Sequence, residues 1–255
     1  MNLEGRVIQT SKITKWTPGT VAAARTYFTS FFNWCMAKAR KYIDENPMHG
    51  INEMKINSNN EAPERHMPFS TEQLRAVLQY LDENDKYMAL FCRSIFYTCV
   101  RPKELRGLRV ADINLNNGTM KVRMDVMKTS QKPKPDIVHL DRNFIPHLEQ
   151  LNLHTFPPHY RLFSGNFEKV VGEKSVGVNT PLNRLKTALQ KLGLNGKGHG
   201  VYSFKHTSNI QRLNAGWELA QIMKANRHSS ITETEKYLKG LLALTDISKL
   251  EVPAF

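Results

Sequence analysis

Long apolar runs are missing from this 255-residue chain. No stretch approaches the ~20 apolar residues that a membrane-spanning helix needs, and the N-terminus has no signal-peptide core. No membrane partner is expected. Cysteine is scarce as well: Cys35, Cys92 and Cys99 stand in apolar surroundings with no CxxC pairing. An odd number without a framework excludes a disulfide scaffold and points to reduced, buried thiols in a cytoplasmic protein. The nine histidines show neither HExxH nor HxxxH spacing, so no metal and no cofactor is expected to be held by the chain.

Acidic residues are the other shortage. Asp and Glu number 23 against 36 Lys and Arg, a formal charge of +13, with an isoelectric point near 9.7. A surplus of that size acts on partners and not on fold, and it favours polyanions. With membranes set aside, nucleic acid is the expected partner.

What is present reads as mainly helical. After Thr17-Pro18-Gly19 a helix is expected over Thr20–Tyr42, with Val21, Ala24, Tyr27, Phe28, Phe31, Phe32, Cys35 and Ala39 on one apolar face. Asp44-Glu45-Asn46-Pro47 stops it. One helix cannot enclose a core, so residues 1–60 read as part of a small helical domain, shortened at its N-terminus. The polar, proline-punctuated stretch Ser58–Pro68 is the expected linker. Residues 61–255 form the second domain, with a tail from about 241. Ser70-Thr71-Glu72-Gln73 resembles a capping box opening a helix to about Glu83. Helices follow over Lys86–Cys99 and Pro102–Gly107. From Ile113 the period changes. Asn116-Asn117-Gly118 signals a hairpin, followed by Thr119–Val126 and Ile137–Leu140. Helices are expected again from Asp141 to Leu151 and over Thr180–Leu192. The sum is an α+β arrangement, mainly α with a small antiparallel β-sheet of about three strands.

Three places carry unusual polar groups. Arg101 closes an apolar helix just before a helix-starting proline, a setting that favours an anion, and Glu104 can hold it. Alone, this pair reads as a surface ion pair. Lys128 lies in the loop Met127–Lys132 after a strand; basic hairpin loops are usually solvated. The third place is Val201–Gly240. Tyr202 and Lys205 are spaced to share a helix face, with His206 beside them. Gly216 breaks the run, Trp217–Asn226 is helical, Arg227–Ser230 turns, and a helix starts at Thr232. His228 and Tyr237 could converge across that turn. Residue by residue, core packing explains each of these as well.

Together, in order and spacing, they resemble the signature of the tyrosine recombinases, or phage-type integrases. Thr98-Cys99-Val100-Arg101-Pro102-Lys103-Glu104-Leu105 matches the family's T-G-L-R-x-x-E-L. Lys128-Thr129 matches its hairpin K-T, Arg227-His228-Ser229 its G-H-S, and Tyr237 its nucleophile nine residues on. One box departs: H-x-L-R-H-T is replaced by Tyr202-Ser203-Phe204-Lys205-His206-Thr207. That variant is similar to a branch of mobile-element integrases of Bacteroidetes type. Lysine is a point charge without the guanidinium fork, and tyrosine is a poor base at neutral pH.

The resemblance implies a helical core-binding domain followed by a recombinase catalytic domain. It implies site-specific cutting and rejoining of DNA strands through a 3′-phosphotyrosine on Tyr237, without metal or ATP. Arg101 and Lys205 would then stabilise charge on the phosphate, Glu104 would orient the site, and His228 would hydrogen-bond the phosphate. Tyr202 would serve as base or positioning group, and Lys128 as general acid with Lys132 as substitute. It further implies a homotetramer on two DNA sites when active, a monomer without DNA, and DNA-bending accessory factors. The apolar run Leu241–Leu244 would dock on a neighbour or fold back on its own core. The departing box keeps open a weakened DNA-binding protein of the same fold. A type IB-like topoisomerase and a helical transcription regulator also remain.

Overall fold

The computed structural model describes residues 18–37, 39–51, 66–123, 125, 135–166 and 169–242. The chain divides into two compact units, Met1–Pro63 and Glu64–Phe255. The first part of the expected linker, up to Arg65, lies outside the described residues.

In the first unit, helix α1 covers Pro18–Met36, six residues short of the expected end. A short 3-10 turn at Pro47–Gly50 is capped by Asn46, whose side chain accepts the Met48 N–H at 2.9 Å. The same side chain donates to Asn33 Oδ1 at 2.7 Å, tying the turn back to α1. The expected apolar face is not buried: Tyr27, Phe28 and Phe31 are exposed and only Cys35 is enclosed. Among the described residues of this unit, one helix and one turn supply too little surface to cover it.

The second unit is built as the sequence pattern suggests, mainly α with a three-stranded antiparallel sheet. Ser70 caps α2 (Thr71–Asn84), with Gln73 returning to the Ser70 N–H at 2.9 Å. Asp85 caps α3 (Lys86–Thr98), whose apolar positions Met88, Phe91, Cys92 and Ile95 are all buried. Helix α4 (Pro102–Gly107) follows after three residues. Strands β1 (Ile113–Asn114), β2 (Thr119–Val122) and β3 (Asp136–His139) pair in sequence order, Met120 opposite Val138 and Val122 opposite Asp136. The Asn116-Asn117-Gly118 turn joins β1 to β2, with Gly118 at φ +57°, a conformation glycine adopts without penalty.

Helix α5 is shorter than expected, Ile145–Glu149, and α6 spans Thr180–Lys191. Three helices close the described chain: α7 (Ser203–Asn214), α8 (Leu219–Asn226) and α9 (Ile231–Leu242). One core joins α2, α3, α4, the sheet and α6 around Phe91, Phe163, Phe204 and Leu105. A separate small cluster of Ile222, Leu238 and Leu241, flanked by Ile210, Leu213 and Tyr237, holds α9 against α7 and α8. Among the described residues no helix is long and apolar enough to cross a membrane.

Candidate active site

The site forms where the C-terminal end of α3 meets the buried face of α7. A helix end leaves carbonyls without partners, and here α7 supplies donors at Lys205, Ser208 and Arg212, three and seven residues along one face. The Lys205 ammonium donates to the Cys99 carbonyl at 2.9 Å, and the Arg212 guanidinium to the Tyr97 carbonyl at 2.7 Å. The Ser208 hydroxyl donates to the Phe96 carbonyl. The negative end of the α3 dipole favours both cations. Cys99 itself turns the chain in the left-handed region, φ +53°, which ends α3 and sets Arg101 at the start of α4. All three cysteines are buried and unpaired.

Arg101 is partly exposed, and its backbone N–H donates to Glu104 Oε2 at 2.9 Å while its Nη1 donates to Oε1 at 3.2 Å. Glu104, placed three residues on by the first turn of α4, is 2% exposed and holds a second guanidinium, that of Arg227. Burial alone would raise the Glu104 carboxyl. The Arg227 charge, the Arg101 N–H and the remaining contacts to the two arginines outweigh it and hold the group below the usual carboxylate range. Arg227 Nη1 also lies 3.6 Å from Asp136 Oδ2, at the first residue of β3. The foot of the β2–β3 connection is thereby tied to the site. Lys128 and Lys132 belong to that connection and lie outside the described residues.

Tyr202 occupies the residue before α7 in helical conformation (φ −69°, ψ −20°), and its carbonyl accepts the His206 N–H at 3.1 Å, one turn ahead of Lys205. Its phenol is pushed up, chiefly by burial, against a hydrogen bond and a charge from Arg101 that work the other way. Lys205, 3% exposed, is drawn down to about 8, first by burial and then by the charges of Arg101 and Arg227, partly offset by Cys99 and Glu104. His228 follows the left-handed Arg227 (φ 59°, ψ 37°), the residue that ends α8. Its Nδ1 lies 2.9 Å from Thr234 Oγ1. Burial and the Lys205 charge lower it, so the ring is neutral at pH 7.

Tyr237 projects from the second turn of α9, a helix whose start is fixed by Ser230 Oγ accepting the Glu233 N–H at 3.1 Å. Its ring meets those of His206 and His228, each with centroids 5.5 Å away. The hydroxyl lies 2.7 Å from His206 Nδ1 and 3.3 Å from Asn209 Nδ2. Burial drives the phenol well above its ordinary value, with the Asn209 hydrogen bond opposing. His206 is lowered to about 4 by burial, then by His66 and Lys205, which keeps its ring neutral and able to accept a proton.

The structure thus brings together Arg101, Glu104, Tyr202, Lys205, His228 and Tyr237. Sequence reasoning missed three contributors: His206 as a direct neighbour of the Tyr237 hydroxyl, Asn209, and Arg227. Asn209 and Asn226 exchange amide hydrogen bonds, both fully buried. Two buried asparagines at core positions of amphipathic helices are the signal that could have found that pair.

Residues 68–241 match the model of the phage integrase family. The chain belongs to the phage integrase family of tyrosine recombinases. Among solved structures it resembles the Tn1549 transposon integrase in complex with a circular intermediate DNA, at 16% identity and a TM-score of 0.65 over 88% of this chain and 76% of that one. It also resembles XerA recombinase, at 17% identity and TM-score 0.54, over 91% of this chain and 83% of that one. A lambda integrase dimer bound to a COC′ core site matches at 14% identity and TM-score 0.61, over 93% of this chain and 63% of that one. Such identities carry the fold alone. No curated protein sequence matches the chain.

Proposed function

We propose that this chain is a site-specific DNA recombinase that cuts and rejoins duplex DNA through a phosphotyrosine on Tyr237. The observation that carries this reading is a buried phenol with a proton acceptor at 2.7 Å, standing beside a cluster of Arg101, Lys205 and Arg227 around one carboxylate, in a chain of this family. That cluster suits a phosphodiester, which must gain negative charge on its non-bridging oxygens as a fifth ligand approaches phosphorus.

In the proposed reaction the Tyr237 oxygen bonds to phosphorus and the bond from phosphorus to the 5′ oxygen breaks, leaving a 3′-phosphotyrosine and a 5′-hydroxyl. Rejoining runs the same steps backwards, so the phosphate bond energy is retained in the protein link. The phenol proton passes to His206 Nδ1. Tyr202, raised by burial and engaged by Arg101, positions and does not take a proton. Arg101 and Lys205 hold the non-bridging oxygens. His228, its ring fixed by the contact of Nδ1 with Thr234 Oγ1, presents its other ring nitrogen to the phosphate. Lys128 protonates the leaving 5′ oxygen; the Asp136–Arg227 contact, which brings the base of its loop to the site, supports that role.

Double-stranded DNA is the partner, drawn by the formal charge of +13. The active assembly is a homotetramer on two sites. Leu241, the first residue of the apolar run, packs on its own chain with Ile222 and Leu238. One observation favours a second reading, a weakened DNA-binding protein: Lys205 commits a proton to the Cys99 carbonyl.

The test uses duplexes selected by the protein from a random-sequence pool, nicked so that a cut strand cannot be resealed. A covalent protein–DNA band on a denaturing gel, absent for Tyr237→Phe, is expected. A protein that binds the selected duplex tightly and leaves no such band is the weakened binder. Relaxation of any plasmid without strand exchange marks a topoisomerase.

A further inference from the structure

His66 is the first described residue of the second unit, two positions before the family match begins. It belongs to none of the motifs that mark the family. Its backbone is left-handed, φ 65°, a conformation uncommon for a residue with a Cβ and kept only where the surroundings fix it. Here they do. The His66 and Met67 N–H groups both donate to the Gly198 carbonyl, at 2.7 and 3.2 Å. The Met67 carbonyl lies 3.0 Å from His199 Nδ1, and the Phe69 N–H donates to Thr207 Oγ1 at 2.8 Å. Phe69 also stacks on His199, with centroids 4.5 Å apart. Residues 66–69 are latched to the loop before α7 and to α7 itself.

What the latch delivers is a ring beside the proton acceptor. A Cβ at Gly200 would stand 3.1 Å from His66 Nδ1, inside ordinary van der Waals contact, so glycine leaves the imidazole its seat. From there the ring meets Tyr202 at 5.4 Å and His206 at 6.2 Å between centroids, while Tyr202 and His206 are 6.0 Å apart. All three separations fall in the range of packed aromatic pairs. His206 therefore has three ring neighbours. Tyr202 lies one turn back on its own segment, and Tyr237 is the group at which His206 must be aimed. His66 is the neighbour brought from a distant part of the chain, and it is exposed to solvent. Water would accommodate an exposed imidazole in many orientations; the left-handed backbone and the opening at Gly200 commit it to this one.

We propose that His66 is a positioning residue for strand cleavage: its ring, seated over Gly200, packs against His206 and keeps Nδ1 directed at the Tyr237 hydroxyl. The inference rests on the proposed function. A proton acceptor contributes only while its nitrogen stays in line with the proton, and a misplacement of about 1 Å can cost about 10²-fold. The role requires no contact between His66 and DNA.

The experiment measures single-turnover adduct formation on the selected nicked duplex, at saturating protein, for wild type, His66→Gly and His66→Phe. Each substitution is also made in His206→Ala. Glycine suits the backbone at 66, so the melting temperature should not fall, and anisotropy should show duplex binding as in wild type. Cleavage by His66→Gly should slow by about 10–100-fold. His66→Phe, which restores a ring without its nitrogens, should recover most of that loss. In His206→Ala the removal of His66 should add nothing, because its effect passes through His206. Wild-type cleavage by His66→Gly, an equal loss in His66→Phe, or a loss that multiplies that of His206→Ala overturns the proposal. So does a loss explained by weaker duplex binding or a lower melting temperature. A wild-type protein that binds the duplex and forms no adduct removes the function reading, and this inference with it; a defect confined to the expected variants leaves both standing.

Discussion

The Tyr237 hydroxyl lies between an acceptor and a donor, 2.7 Å from His206 Nδ1 and 3.3 Å from the Asn209 amide nitrogen. An amide nitrogen can only donate. On that side the phenol oxygen is an acceptor, and its own proton is directed at the imidazole. Since burial holds His206 neutral down to about pH 4, the imidazole is ready to receive it throughout the physiological range. A phosphodiester beside the ring would raise its basicity against the burial that lowers it, because an anion favours the charged form.

His206→Ala should therefore slow cleavage by about 10²–10⁴-fold, the usual contribution of a placed proton acceptor. Binding of the selected duplex should change little, as measured by fluorescence anisotropy. A matched loss of binding and cleavage would assign His206 to packing alone.

Lys205 makes cleavage sensitive to alkaline pH. Its ammonium is drawn down to about 8, so the cation is present below that value and lost above it. At sub-saturating DNA, single-turnover cleavage should decline as pH rises through about 8, and Lys205→Arg should move that limb upward by replacing a titrating cation with a permanent one. The same shift has a stability consequence of opposite usefulness. The folded value lies below the unfolded 10.5, so burying the charge costs stability wherever both states are protonated. The cost is full below about 8 and vanishes above 10.5. A shift of that size corresponds to about 3 kcal/mol, offset by the lost bond to Cys99. Lys205→Met should raise urea stability by about 1–2 kcal/mol at pH 7, lose that gain near pH 10.5, and abolish cleavage.

Glu104→Gln removes the carboxylate that pairs with Arg101 and one of the two that pair with Arg227 among the described residues. Leaving two part-buried guanidiniums without it should cost about 3–5 kcal/mol, as for other broken buried pairs. Urea unfolding measures it. A change within about 0.5 kcal/mol would mean that solvent, and not Glu104, balances those charges.

These pairings also mark where sequence reading succeeds and where it stops. Ser70 and Gln73 face each other across three residues, so a capping box is local information. The hairpin at Asn116-Asn117-Gly118 and the alternation of Met120 and Val122 are local too. So are Arg101 and Glu104, and the order and spacing of His228 and Tyr237. Sequence does not carry the meeting of distant groups. His206 touches Tyr237 only because the small cluster of Ile222, Leu238 and Leu241 folds α9 back across α7. Arg227 reaches Glu104 over 123 positions. In α1 the aromatic periodicity is legible while its burial is not, since periodicity gives a face and says nothing of the surface that covers it.

The small cluster also predicts local behaviour. Three fully enclosed side chains carry the α9 contact, so Leu238→Ala, which typically costs about 2–5 kcal/mol at a buried site, should release α9 without unfolding the main core. Hydrogen exchange should rise in Ile231–Leu242 and stay unchanged in α3. Cleavage should fall with it, because Tyr237 leaves His206. Uniform acceleration across both helices would show that the two cores fold as one.

The central claim is that Tyr237 supplies the oxygen of the protein–DNA bond. Adduct formed on the nicked duplex can be trimmed with nuclease, digested with trypsin and sequenced by mass spectrometry. Trypsin cuts after Lys236 and Lys239, which frees a short peptide beginning at Tyr237. The prediction is a nucleotide 3′-phosphate on the Tyr237 phenol. A nucleotide carried by any other residue, or an adduct that persists in Tyr237→Phe, would contradict the account.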